Sequence, residues 1–223
     1  MITFWVALAG GTIARIPALM IQAKRTKHKY FKMLFLTIAM TFFELLGTLL
    51  LFWLENGEFG GTSYYGGILL MPIFCLCMAP LFKIPYQDIT DMFGASAGGM
   101  LAIMRLQCAY HGCCSGRTIA LPSGYEFVFP SPIVELVTVL ILMVIVVSIG
   151  KQPKMRGKLF PIYLILYGAT RFILNGFRSD LIPFVWILPA GHFWSLVAIL
   201  IGVFWLLILG NQRLSSTRVS ATP

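Results

Sequence analysis

One stretch of this chain, Met104 to Arg117, concentrates reactive side chains: Arg105, Cys108, His111, Cys113, Cys114 and Arg117. Arginine offers a permanently charged planar fork that matches phosphate or carboxylate. Histidine moves protons near neutral pH, and a cysteine thiolate is a nucleophile and a metal ligand. Arg15, Arg171 and Arg178 stand apart elsewhere in apolar sequence, as do the acids Glu44 and Glu135. Together these residues describe anion binding combined with thiol or proton chemistry.

The elements that must position them are dictated by composition. Of 223 residues, 58% are hydrophobic and only 11% charged, with a mean hydropathy of +0.85. Soluble domains carry roughly 25% charged residues. Lipid must therefore be the solvent, which excludes a soluble globular enzyme, a disordered chain and a nucleic-acid binder. Seven apolar segments follow one another at about 2–22, 33–54, 62–82, 92–110, 131–150, 159–176 and 189–210. A spanning helix needs ~20 such residues, and the short alternating segments of a membrane β-barrel do not occur. The expectation is an all-α, polytopic membrane bundle of seven transmembrane helices, one domain over 1–223. The first segment lacks a basic residue ahead of it, so it is expected to stay as a helix and not to be a signal peptide.

The net charge of +9 sorts by location. Twelve of the 17 lysines and arginines lie in alternate loops or the tail: Lys24, Arg25, Lys27, Lys29, Lys32, Lys83, Lys151, Lys154, Arg156, Lys158, Arg213 and Arg218. The positive-inside rule makes those loops cytoplasmic, with the N-terminus out and the C-terminus in. The other loops carry Glu55, Glu58, Glu126 and Asp180, and Trp5, Trp53 and Trp186 fall near outward helix ends. His28 belongs to the basic loop and Asp91 is read as the cap of the fourth helix. Gly94, Gly98 and Gly99 permit either close helix packing or a substrate groove.

The five remaining basic residues are all arginine: Arg15, Arg105, Arg117, Arg171 and Arg178. An intramembrane charge marks function by default and needs a partner. Two readings stay open, pairing with Glu44 and Glu135 inside the bundle, or a positive surface at the outer leaflet for a phospholipid phosphate. Arg178, near the interface, can also snorkel to headgroups. Tyr167 and Arg171 are four residues apart, on one helix face, so a phenol and a guanidinium can share one phosphate.

Around these arginines the sequence resembles the phosphatidylglycerol–prolipoprotein diacylglyceryl transferases of bacterial inner membranes. The family signature, Gly-Arg-x-Gly-Asn-Phe-x-Asn-x-Glu-x-x-Gly, lies without gaps with its arginine on Arg105 and its last glycine on Gly116. Cys108, His111 and Cys113 replace its asparagines and glutamate. Ser63-Tyr64-Tyr65-Gly66-Gly67 resembles Ser-Phe-His-Gly-Gly, and Pro130-Ser131-Pro132-Ile133-Val134-Glu135 resembles Pro-Ser-Gln-Leu-Tyr-Glu. Tyr167-Gly168-Ala169-Thr170-Arg171-Phe172, followed by Arg178, resembles Tyr-Gly-x-x-Arg-Phe with a trailing arginine. Gly191-His192-Phe193-Trp194-Ser195 resembles Gly-Gln-x-x-Ser. These blocks are in order and cover about 60–200.

The resemblance implies transfer of diacylglyceryl from phosphatidylglycerol to the lipobox cysteine of a prolipoprotein, releasing glycerol phosphate at the outer leaflet of the bacterial inner membrane. It implies phosphatidylglycerol, the signal-peptide lipobox segment and the bilayer as partners, and no nucleic acid. It assigns catalysis to Arg105 and Arg171, with Tyr65 at the family's histidine position. A phenol of pKa ≈ 10 is a poor base, so His111 or His192 is the substitute. Tyr167, Arg117, Arg178, Glu135, Gly66, Gly67 and Gly116 then bind substrate, with Glu135 either a counter-ion or an acid–base group. No cofactor is expected. No metal is expected either, because His111-Gly112-Cys113-Cys114 has no second paired ligand cluster. A bridge from Cys113 or Cys114 to Cys108, or a lipid-carrying cysteine, is also open, while Cys75 and Cys77 read as apolar filling. Two other functions remain: a phosphatidylglycerol-dependent transferase with another acceptor, and a small transporter or anion-binding membrane protein using the same arginines.

Overall fold

Apolar runs bounded by Pro, Gly and charge fold into seven α-helices among the described residues. The computed structural model describes residues 2–26, 29–58, 60–122, 124–179, 183–185 and 187–219. The helices are α1 (Ile2–Thr26), α2 (Tyr30–Asn56), α3 (Tyr64–Phe82), α4 (Tyr86–His111), α5 (Ser131–Gly150), α6 (Leu159–Asn175) and α7 (Ala190–Val219). Five of them agree with an apolar segment of the sequence to within about four residues, while α4 starts six residues before its segment and α7 runs nine residues past its own. Lys27, His28, Asp180 and Trp186 lie outside the described residues, as do the side chains of Arg25, Arg213 and Arg218.

Short connections make consecutive helices antiparallel, and two small antiparallel hairpins gather at one end of the bundle. The first pairs β1 (Thr118–Ala120) with β2 (Glu126–Val128), and Thr118 lies opposite Val128. The second pairs β3 (Pro183–Val185) with β4 (Leu188–Pro189). We call this the hairpin end. The opposite end carries the linkers from α1 to α2, α3 to α4 and α5 to α6.

The bundle turns apolar side chains outward, as a lipid-solvated protein should. Ile73, Val144 and Leu200 are each more than 60% exposed. Five helices (α1, α2, α3, α5 and α7) are long and apolar enough to cross a membrane, while α6 is a shorter apolar helix. The less apolar α4 is the central one. It packs against α1, α3, α5 and α6, and its residues from Asp88 to Ala102 are buried. Neighbouring protein, not lipid, meets its polar groups. Gly94 and Gly98 lie against α6 and α5, and Gly99 against α1, which is the close-packing reading of these glycines.

Two buried carboxylates on α4 fasten the opposite end. Asp88 receives a bidentate pair from Arg156, Nε at 2.7 Å and Nη2 at 2.9 Å. The acid keeps the Arg156 guanidinium above its ordinary pKa. Asp91 accepts from the backbone N–H groups of Gly157, at 2.7 Å, and Leu159, at 2.9 Å. This corrects the expectation that Asp91 caps its own helix. α4 begins earlier, after Pro85, and Asp91 instead satisfies the orphan donors that open α6.

Arg15 also finds a partner inside the protein. It pairs with Glu44 of α2, and both side chains are fully buried. Its Nη1 donates to Thr41 Oγ1 at 3.2 Å, and its guanidinium faces the Phe93 ring at 5.3 Å. Arg15 therefore joins α1 to α2 and stands apart from the other arginines.

Candidate active site

Three elements converge on one acid at the hairpin end. Ser131 and Pro132 open α5, which holds Glu135 buried one turn inside. Arg105, near the end of α4, brings Nε to 2.5 Å from Glu135 Oε2. Arg171 of α6 pairs with Oε1 of the same carboxylate, and Arg178 reaches that oxygen with Nη1 at 3.3 Å. These arginine side chains are each only 10–12% exposed. Three cations around one anion leave two positive charges uncompensated within the group. A buried carboxylate holding three forks in place leaves positive charge that a second anion can neutralise without rearrangement.

The loop geometry that delivers Arg178 depends on Gly116. A Cβ at Gly116 would lie 2.4 Å from the Phe129 carbonyl oxygen and 2.9 Å from that of Phe177. Without a side chain, Gly116 N–H donates to Phe129 at 3.0 Å, and Gly116 pairs as an isolated bridge with Arg178. Arg117 lies next to this junction but points elsewhere. Its side chain is exposed and its guanidinium sits 5.4 Å from the Phe177 ring centre.

An aromatic wall lies beneath the arginines. Tyr167 is buried, with the rings of Tyr64, Tyr65 and Tyr163 at 5.1, 5.5 and 5.8 Å. The Tyr64 hydroxyl donates to the Ala97 carbonyl at 2.9 Å and lies 2.8 Å from the Tyr163 hydroxyl. The Tyr65 hydroxyl meets Ser195 Oγ at 2.7 Å, and Ser195 donates to the Gly191 carbonyl at 2.6 Å. The phenol of Tyr65 is thus a donor to α7. Tyr64, Tyr163 and Ser195 were not among the expected site residues. Tyr64 and Ser195 do fall inside two of the matched motif blocks, whereas Tyr163 was signalled only by a polar atom inside an apolar helix.

Other expected residues lie differently. Gly66 and Gly67 face α2 directly. A Cβ at Gly66 would stand 2.1 Å from the Gly47 carbonyl oxygen, and one at Gly67 would stand 2.6 Å from Glu44 Cγ. Both glycines let α3 pack closely on α2. Gly67 does border an apolar groove of about 530 Å³ between α2 and α3, with Leu50, Leu70 and Phe74. His111 is exposed at the end of α4 with its ring against Tyr110. His192 meets the Phe172 ring edge-on, and its Nδ1 is buried without a hydrogen-bond partner among the described residues. Neither histidine pairs with Glu135 among the described residues.

The thiols of Cys108, Cys113 and Cys114 come together beside the arginines, all within 4.8 Å of one another. All three are free cysteines. The Cys114 thiol is lowered from its ordinary 9.0 to about 5. A hydrogen bond with Cys108 is the main cause, followed by the charges of Arg178 and Arg105, and these outweigh partial burial.

The family model described as prolipoprotein diacylglyceryl transferase matches residues 2–208, nearly the whole chain. The chain belongs to the prolipoprotein diacylglyceryl transferase family. Curated relatives carry the name phosphatidylglycerol–prolipoprotein diacylglyceryl transferase. The protein of Clostridium tetani is 29% identical over 157 residues, 65% of this chain and 62% of that protein. The protein of Geobacter sulfurreducens is 28% identical over 128 residues, 54% of this chain and 49% of that protein. That of Streptococcus uberis is 27% identical over 173 residues, covering 69% and 64%. The chain thus spans about three-fifths of the length of the first of these diacylglyceryl transferases.

Proposed function

We propose that this protein transfers the diacylglyceryl group of phosphatidylglycerol to the lipobox cysteine of a prolipoprotein and releases glycerol phosphate. The observation that carries the reading is the convergence of Arg105, Arg171 and Arg178 on Glu135. Departure of a phosphate ester needs fixed cations at the developing charge. The forks are already held in place, so little reorganisation accompanies binding. Tyr167 stands under Arg171 one helical turn away and closes the site from below. Arg117, exposed beside the junction, meets the headgroup at the rim.

Seven spans, N-terminus out and C-terminus in, are part of the proposal. The lysine and arginine bias supports it. The hairpin end then faces outward and the site opens at the outer leaflet of the bacterial cytoplasmic membrane. A secreted preprotein reaches the site from that side, and the acyl chains stay in the bilayer. The acceptor thiol must lose a proton before it attacks. Tyr65 is occupied as a donor to Ser195. His192, whose buried Nδ1 has no hydrogen-bond partner among the described residues, and the exposed His111 lie at this end.

The departure at Tyr65 favours one second reading, the same lipid donor with another acceptor. Purified protein in detergent, given labelled phosphatidylglycerol and a lipobox peptide, tests both. Lipidated peptide plus glycerol phosphate supports the transferase reading. Glycerol phosphate without lipidated peptide supports the other acceptor. A folded sample that turns over no lipid overturns both.

A further inference from the structure

The thiol triangle is left unused by the reading above. Cys108 lies on the last turn of α4, and Cys113 and Cys114 follow its end. Gly112, at φ 65°, and Cys114, at φ 61°, are both left-handed. That double reversal folds the chain back over Cys108. A non-glycine residue persists in this region only where its surroundings enforce it. Its result is that the sulfurs of Cys108 and Cys114 stand 3.9 Å apart. All three thiols are at least partly exposed, so an ion can enter.

Zinc binds thiolate sulfur at ~2.3 Å in a tetrahedron, which sets bound sulfurs about 3.8 Å apart. The Cys108–Cys114 separation already has that value. The largest separation in the group, 4.8 Å at most, needs to close by about 1 Å. A divalent ion with three thiolates has one net negative charge. It would sit beside an arginine group with two positive charges in excess, and the charges of Arg178 and Arg105 act on Cys114. Structural zinc sites use four protein ligands, whereas three ligands leave a position open for a reactant.

We propose that Cys108, Cys113 and Cys114 bind a zinc-type divalent ion whose open fourth position takes the acceptor thiol. The acceptor role rests on the transferase reading, and the metal site itself does not. A metal-coordinated thiol is deprotonated outright, and its proton passes to water. A lone pair on the bound sulfur forms the S–C bond to the glyceryl methylene. The C–O bond to phosphate breaks, and its electron pair leaves on glycerol phosphate between Arg105, Arg171 and Arg178. The centre would do the work of a base that Tyr65 cannot do.

The test uses the full chain in detergent, kept reduced with a phosphine, stripped with a chelator and titrated with Co(II). One ion per chain is expected, with sulfur-to-cobalt charge-transfer bands and the intense visible bands of tetrahedral cobalt, both erased by Zn(II). A lipobox peptide should shift the visible bands, and its Cys→Ser counterpart should not. A Cys113→Ser, Cys114→Ser double variant should lose the bands while keeping its metal-free unfolding temperature. Stripping should lower turnover at least about 100-fold, and zinc should restore it. Absent cobalt bands in the folded wild type overturn the site. Bands indifferent to the cysteine peptide, or full turnover in stripped protein, overturn the acceptor role. Bands that respond to the peptide in a sample releasing no glycerol phosphate uphold the metal site and sink the lipid-donor reading.

Discussion

The Tyr65 hydroxyl lies 2.7 Å from Ser195 Oγ, and Ser195 spends its own proton on the Gly191 carbonyl at 2.6 Å. The phenol is therefore the donor, and it ties α3 to the second turn of α7. Tyr65→Phe should cost about 1 kcal/mol of stability, the net value of one hydrogen bond. Turnover should stay within about tenfold of wild type, a barrier change of ~1.4 kcal/mol. A loss above 100-fold in a folded variant would return the phenol to the chemistry.

Glu135 holds three guanidinium groups with one carboxylate. Glu135→Gln keeps the shape and removes the charge, leaving three buried cations facing one another. Breaking a buried ion group by removing one partner costs roughly 3–5 kcal/mol. The variant should unfold at lower temperature in neutral detergent. Added phosphatidylglycerol should raise its unfolding temperature more than it raises that of wild type, because the lipid phosphate takes the carboxylate's place. Equal shifts in both proteins would separate the arginine group from the lipid.

Arg105 and Arg171 differ from Arg117 in what they touch. Arg105→Ala and Arg171→Ala should each lower kcat by ~10²–10³, the usual cost of one preorganised charge-stabilising donor. Arg105→Lys should recover little, since an ammonium lacks the planar fork. Arg117→Ala should raise KM for lipid and spare kcat. Comparable kcat losses at all three positions would mean that exposure at the rim does not divide their roles.

Asp91 was legible as a capping acid, but not as the cap of another helix. The apolar pattern marks a segment from about 92, whereas Pro85 starts α4 at Tyr86 and leaves Asp91 in its second turn. The acid is tolerated there because it receives the Gly157 and Leu159 N–H groups. The helices themselves were readable because a lipid-solvated helix must be a long apolar run. Glu44 and Glu135 were readable as candidate partners for the intramembrane arginines because acids are scarce inside those runs, whereas which arginine takes which acid was not. The hairpins were not readable, since strands of two or three residues carry no periodicity. The contact of Gly66 with Gly47 was not readable, because sequence cannot show which helices touch. Asp91→Ala should destabilise by about 1–2 kcal/mol, with KM for lipid unchanged. A raised KM at full stability would contradict a purely structural role.

Cys114 gives a pH signature in protein stripped of metal. Its thiol is lowered to about 5 by the Cys108 hydrogen bond first, then by Arg178 and Arg105. The thiolate is therefore the main form from just above pH 5, and alkylation should depend weakly on pH between 6 and 8. An ordinary thiol of pKa ≈ 8.5 slows roughly 100-fold over that interval as its thiolate fraction falls. Iodoacetamide labelling read by peptide mass spectrometry should show Cys114 modified at pH 6 at nearly its pH 8 rate. Arg178→Ala should move the onset of labelling to higher pH, because one of the charges that hold the thiolate is gone. A steep fall in wild-type labelling between pH 8 and 6 would mean that these neighbours do not stabilise the anion.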